Sequence, residues 1–248
     1  MHIDLSFIQK TLTKAHIFGN LKEVPTFCVD SRNIVRGDIF VAIAGARVDG
    51  HDFNADALNR GAQAIMIASC HADHIISQYP DTCIIVVPDP YQALIQLAVA
   101  WRAQFSYPII GVTGSVGKTS TKEMLKSMLS FCGKKVIASV GNQNTMIGAA
   151  INILKMTDEY DVAVFELGIS QVGNMKNLAE LVQPTIGIIT YIGHAHMQGL
   201  GGLVDIAREK RDIFSLFKKS NVGIINGDQS VLNNPQMHGL PEYNHIII

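Results

Sequence analysis

No stretch of about 18 consecutive apolar residues occurs in this chain, so no segment is long and apolar enough to be read as a membrane-crossing helix. Blocks of one charge sign are missing as well. With 20 Lys and Arg against 21 Asp and Glu, the balance gives no support to a nucleic-acid partner or a charged membrane surface. The opening residues, Met1-His2-Ile3-Asp4-Leu5, lack a basic segment followed by a long apolar run, and the expectation is a cytoplasmic protein without membrane insertion. Cysteine is scarce. Cys28, Cys70, Cys83 and Cys132 form no C-x-x-C pair and meet no histidine at metal-ligand spacing, which excludes a disulfide framework or a zinc module and predicts buried thiols in a reducing compartment.

What is present is an alternation of short apolar runs and amphipathic stretches over 248 residues, enough for one large domain or two modest ones. The predicted fold class is α/β: a small N-terminal α/β domain over residues 1–87, then a mostly parallel sheet with helices on both faces over 88–248. In the first part, helices are expected near 5–15 and 54–60, with Gly61 closing the second, and strands at 26–29, 38–43, 64–68 and 83–87. A helix over 91–105 carries Leu94, Leu97, Ala98 and Trp101 on one face, joins the two parts, and puts Trp101 in a core. Beyond it the pattern is strand 108–112, helix 118–131, strand 135–140, helix 145–155, strand 162–165, helix 175–182, strand 186–192, helix 203–218 and strand 222–225. Parallel sheets of this kind bind ligands beyond the carboxyl ends of their strands.

Three strand ends are chemically loaded. The first, 108–112, runs into GVTGSVGKTST, where Gly114, Ser115, Val116, Gly117, Lys118, Thr119 and Ser120 have the make-up of a phosphate loop opening a helix. Backbone N–H groups and a helix N-terminus suit phosphate oxygens, Lys118 suits the β- and γ-phosphates of ATP, and the Thr119 hydroxyl suits Mg2+. Gly117 lies six positions after Gly111, one more than in the general pattern. A plain glycine turn accounts for the glycines but not for the Lys-Thr-Ser-Thr that follows them. The second end is Glu166-Leu167-Gly168, whose carboxylate suits an oxygen ligand for the metal, with a salt-bridged strand-end acid as the alternative. The third is Gly193-His194-Ala195-His196, where two histidines two residues apart in extended chain face one side.

In the N-terminal part, Asp30-Ser31-Arg32 and Asp49-Gly50-His51 are polar clusters at strand ends that suit either turns or ligand contacts. Lys210 stands in a charged helical stretch that composition alone reads as a solvated face.

Taken in order, Asp30-Ser31-Arg32, Gly37-Asp38-Ile39-Phe40-Val41-Ala42, Asp49-Gly50-His51, TGSVGKTST, Gly141-Asn142-Gln143-Asn144-Thr145, Glu166-Leu167-Gly168 and His196 followed by Lys210 resemble the Mur ligase family of ATP-dependent amide-bond-forming enzymes of peptidoglycan synthesis. The resemblance covers nearly the whole chain, and the shortened phosphate loop is similar to the family's own form. It implies that the N-terminal domain binds a UDP-sugar and the second domain binds ATP. GNQNTMIG and FELGISQVGN are most similar to the member that joins D-alanyl-D-alanine to UDP-N-acetylmuramoyl-tripeptide; a sister member adding the third amino acid stays open. The implied reaction passes through an acyl phosphate formed with ATP and Mg2+.

By the same resemblance Lys118, Glu166, His196 and Lys210 are the catalytic set, with Thr119, Glu166, His196 and a carbamylated Lys210 at metal. His196 matches the family's metal histidine better than His194 does. Asn226 and Asp228 resemble nucleoside contacts. Ser31, Arg32, Asp49, Gly50 and His51 resemble the UDP-sugar site, and Asn142, Asn144 and Thr145 face sugar and peptide. The family pattern includes a third, C-terminal domain, so the expectation is that this sequence ends near the close of the central one.

Overall fold

The computed structural model describes residues 1–193, 200–232 and 244–247. By their internal packing the residues divide into two compact units, Met1–Ala103 and Gln104–Ile248.

In the first unit, α1 (Leu5–Thr11) and the strands β1 (His16–Phe18), β2 (Thr26–Cys28) and β3 (Asp38–Val41) are followed by α2 (Asn54–Asn59), β4 (Ala64–Ala68), α3 (Ala72–Gln78), β5 (Cys83–Val87) and α4 (Pro90–Arg102). The sheet order is β1-β5-β4-β3-β2. Strand β1 runs antiparallel to β5, and the other pairs are parallel. β3 and β5 are buried along their whole length, as continuous apolar runs such as Cys83-Ile84-Ile85-Val86-Val87 require of a sheet covered on both faces. Phe40, Ile65, Ile67 and Ile84 lead one side of the core, and each such side chain withdrawn from water contributes about 1.5–3 kcal/mol.

The unit ends after Ala103 rather than after Val87. The reason is α4. Its apolar face, with Leu94, Leu97, Ala98 and Trp101 buried, packs on α1, β3 and β4, and Phe7 meets Trp101 edge to face at 5.1 Å. Asp89 starts the helix by accepting the N–H groups of Tyr91 and Gln92, with Pro90 in the first turn.

The second unit holds β6 (Ile109–Thr113), α5 (Lys118–Phe131), β7 (Val136–Ala138), α6 (Met146–Ile153), β8 (Val162–Glu166), α7 (Asn174–Val182), β9 (Ile186–Ile189), α8 (Leu203–Arg211), β10 (Val222–Ile225) and β11 (Asn244–Ile247). Its six strands lie in the order β11-β10-β9-β6-β8-β7, all parallel. The chain steps from β6 past β8 to β7, and later returns to the other side of β6 with β9. β6 is therefore the point where the winding reverses, the place at which such sheets open a crevice for ligands.

Several expectations shift. β1, α3 and β11 were not visible as apolar runs, β9 stops at Ile189, and the helix expected over 203–218 ends at Arg211 before a tighter turn, Asp212–Phe214. Of the thiols only Cys83 is buried, and burial pushes it up to about 11; Cys28 is half-buried, while Cys70 and Cys132 are exposed because they sit on a turn and at a helix end.

Candidate functional site

β6 delivers the chain, buried at every position, to the loop 114–117 between the ends of β8 and β9. Gly117 adopts φ 88°, a left-handed conformation that side-chain-bearing residues resist, and turns the loop into the first residue of α5. The loop is tied to the end of β9: Ser115 N–H donates to Tyr191 O at 2.6 Å, Ser115 Oγ to Gly193 O at 3.0 Å, and Thr190 Oγ1 to Val116 O at 2.6 Å. Lys118 Nζ lies over the loop, 2.9 Å from Gly114 O. A glycine loop, a helix N-terminus and an ammonium thus share one spot, which is the arrangement that receives phosphate.

Beside it Thr119 Oγ1 donates to Glu166 Oε2 at 2.7 Å, and Asn144 Nδ2 donates to Glu166 Oε1 at 2.9 Å. The Glu166 N–H in turn donates to Ser139 Oγ at 3.0 Å. Glu166 is only 3% exposed, yet no ion pair to it exists among the described residues. A buried carboxylate held by neutral donors next to a hydroxyl is an oxygen donor set that fits a hard cation such as Mg2+. Asn144 approaches closely because residue 168 is glycine: a Cβ there would come within 2.6 Å of the Asn144 carboxamide carbon.

Lys210 is 2% exposed, against the solvated face that composition suggests. Burial, then the neighbouring Lys118 charge, pull its ammonium down to about 8, with Glu209 acting in the opposite sense. Glu209, which the sequence reading did not single out, holds α8 in place. Its carboxylate accepts the N–H groups of Gly173 and Met175, both at 2.9 Å, at the N-terminus of α7. Gln229 is a second addition: it exchanges two hydrogen bonds with the Ile192 backbone, at 2.7 and 2.9 Å, and so brings the turn of Asn226 and Asp228 to the end of β9. Within that turn Asn226 Oδ1 accepts the Asp228 N–H. Both additions act across more than 30 residues of sequence, where no local spacing betrays them. Asn142 is exposed, and Thr145 caps α6 by accepting the Gly148 N–H. His194 and His196 lie outside the described residues.

In the first unit both polar clusters fall at carboxyl ends of strands, and α2 packs against each of the two turns that carry them. Arg32 reaches Asp30 through Nε at 2.8 Å and Nη2 at 2.7 Å, a two-pronged contact that holds the Asp30 carboxyl below the usual range. The Arg32 side chain stays 80% exposed, whereas Ser31 is buried and its hydroxyl bonds Asp56. Asp49 caps the turn Gly50–Phe53, and its Oδ1 accepts from His51 Nδ1 at 2.6 Å. His51 Nε2 accepts the Ala68 N–H at 2.9 Å, and the ring stacks on His71 with centroids 4.0 Å apart. Asp49, His51 and His71 are close enough to suggest a metal site. The Ala68 donor argues otherwise: it keeps the neutral ring's proton on Nδ1, so His51 joins a loop to the end of β4 and has no free lone pair.

Comparison with known proteins agrees with this anatomy. Residues 26–102 match the Mur ligase family catalytic domain and residues 112–240 the Mur ligase middle domain. The chain is 36% identical, over 82% of its length and 44% of the relative's, to a Rickettsia prowazekii protein named UDP-N-acetylmuramoyl-tripeptide--D-alanyl-D-alanine ligase, and 35% identical, over 81% and 43%, to its Escherichia coli namesake. The chain spans about half the length of the curated relatives it matches. A crystal structure of MurF from Acinetobacter baumannii superposes with a TM-score of 0.79 at 28% identity, covering 98% of this chain and 52% of that one. The Thermotoga maritima MurF ligase in complex with ADP gives 0.72 at 30% identity, covering 90% and 50%. With both units matched in order, this chain belongs to the Mur ligase family.

Proposed function

We propose that this chain carries the UDP-sugar-binding and ATP-binding parts of an ATP-dependent ligase that joins D-alanyl-D-alanine to UDP-N-acetylmuramoyl-tripeptide. The observation that carries the reading is the loop of 114–117 opening α5 beside the Thr119–Glu166 pair, in a chain similar to proteins named for that reaction. The solved relative in complex with ADP supports nucleotide binding.

The chain's own groups account for most of the work. The loop N–H groups and Lys118 bind and orient the nucleotide's phosphates, and Asn226 and Asp228 contact its nucleoside. Thr119 and Glu166, with His196, would hold Mg2+, which when bound offsets the charge that builds up on the transferred phosphoryl group. The substrate carboxylate attacks the γ-phosphorus and ADP leaves. The dipeptide amine then attacks the acyl carbon, phosphate leaves, and the amine gives up a proton as the amide forms. Lys210 has the free-amine fraction needed to take up CO2, releasing a proton and becoming an anionic carbamate that suits a metal. Ser31, Arg32, Asp49, Gly50 and His51 line or support the UDP-sugar site, and Asn142, Asn144 and Thr145 face sugar and peptide. ATP and UDP-sugar as substrates imply the cytoplasm.

A second reading is that the residues given, which span about half the length of the relatives, bind one or both nucleotides without turnover by themselves. The experiment is phosphate release from Mg-ATP with UDP-N-acetylmuramoyl-tripeptide, with and without D-alanyl-D-alanine, following the nucleotide product by mass. Dipeptide-dependent release with a product heavier by one dipeptide unit establishes the ligase. Retained binding without release establishes the second reading.

A further inference from the structure

Residues 139–145, which lead from β7 to α6, are held by a lysine to which the nucleotide-binding pattern gives no role. Lys122, one turn after Lys118 on α5, has no exposed side-chain surface. Its ammonium donates to Ser139 O at 2.9 Å and Gly141 O at 3.0 Å, and pairs with Glu123 Oε1 at 2.9 Å. A buried ammonium has three protons to place, and here each has an acceptor. Two of the acceptors are backbone carbonyls on either side of Val140, so the cation sets the path of the chain at that point.

The consequences run to Glu166 by two routes. Ser139 Oγ accepts the Glu166 N–H, and Asn144, reached through the turn in which Gln143 N–H donates to Val140 O at 3.1 Å, donates to the Glu166 carboxylate. Backbone and side chain of Glu166 are therefore both tied to the segment that Lys122 shapes. Asn152 secures the same segment independently, donating to Gln143 Oε1 at 3.0 Å and accepting the Val140 N–H at 3.3 Å. Loss of Lys122 leaves that second anchor in place.

Building on the Mg-ATP reading above, we propose that Lys122 is a positioning residue: by clamping the carbonyls of Ser139 and Gly141 it aims the Glu166 carboxylate at the metal beside Thr119. It links the helix that receives the phosphates to the loop that orients the metal's acid.

The test measures ATP affinity with and without Mg2+, together with thermal melting, for the wild type, Lys122→Met and Lys122→Gln. Positioning predicts metal-free affinity within about two-fold of wild type and a Mg2+-dependent gain reduced about ten-fold or more, the size expected when a group that orients a metal ligand is lost. Adding Ser139→Ala to Lys122→Met then lowers the gain little further, because both changes cut one route. An unchanged Mg2+ gain, or an equal loss of metal-free and metal-bound affinity, overturns the proposal. So does failure of both variants to fold, which makes Lys122 a residue of the fold alone. Failure of the underlying reading is separately visible, since it shows as wild-type affinity indifferent to Mg2+.

Discussion

Thr119 and Glu166, 47 positions apart, meet in a 2.7 Å hydrogen bond from Oγ1 to Oε2 that joins the first turn of α5 to the end of β8. The bond closes one side of the phosphate loop, and in the proposed function Glu166 is the acid on which Mg2+ affinity turns. Glu166→Gln keeps the size and removes the charge. The expected result is a fall of about 10- to 100-fold in the Mg2+-dependent part of ATP affinity, read by calorimetry at fixed nucleotide. Unaltered Mg2+ dependence would falsify the metal role.

Lys210 gives a pH dependence of known sign. Its ammonium sits at about 8 in the folded chain against 10.5 for an ordinary lysine, so between those values the unfolded chain binds more protons. The Lys210 contribution therefore rises as pH climbs through this window and is lost as pH falls through about 8. The full span is on the order of 3 kcal/mol. Urea midpoints at pH 7.5, 9 and 10 are predicted to separate wild type from Lys210→Met progressively, with the wild type gaining. Parallel curves for the two proteins would contradict the buried-ammonium account.

Glu209 supports α8 through the two N–H groups it accepts from the start of α7. Glu209→Ala leaves the buried Met175 N–H and the half-buried Gly173 N–H without that partner, and a loss of about 2–4 kcal/mol in unfolding free energy is expected. Because the Glu209 charge is what partly raises the Lys210 ammonium, the same variant is expected to push it further down and enlarge its free-amine fraction, measurable as faster trapping by an amine-reactive reagent at pH 7. A variant as stable as wild type would show that Glu209 does not anchor the helix.

Much of this arrangement is legible from local pattern. The strand 109–113, the Gly-rich loop and the helix 118–131 follow one another in sequence, so the loop's place beyond the carboxyl end of a parallel strand is foreseeable from the βαβ alternation, whereas the strand order that makes β6 the reversal point is not. Glu166 is legible for the same reason, as the acid closing an apolar run. What escapes is whatever depends on partners far along the chain. Lys122 reads as one more surface lysine in a polar helix until Ser139 and Gly141 are seen to surround it. Lys210 likewise looks solvated among Arg208, Glu209 and Arg211, yet helix packing buries it. β1 is three residues long and pairs antiparallel across about 70 positions, too short for any period to register. His51 reads from sequence as either a turn residue or a ligand contact, and the bonds by which Asp49 and Ala68 occupy both its ring nitrogens are not legible from local pattern.

The central claim is that the loop 114–117 with Lys118 is an ATP site distinct from the UDP-sugar site of the first unit. The most direct measurement is calorimetric binding of Mg-ATP and of UDP-N-acetylmuramoyl-tripeptide, each to wild type and to Lys118→Ala. The account predicts a loss of about 100-fold or more in ATP affinity, as removal of a charged phosphate partner implies, with UDP-sugar affinity unchanged within about two-fold. Equal ATP binding by both proteins, or equal loss of both ligands in the variant, contradicts it.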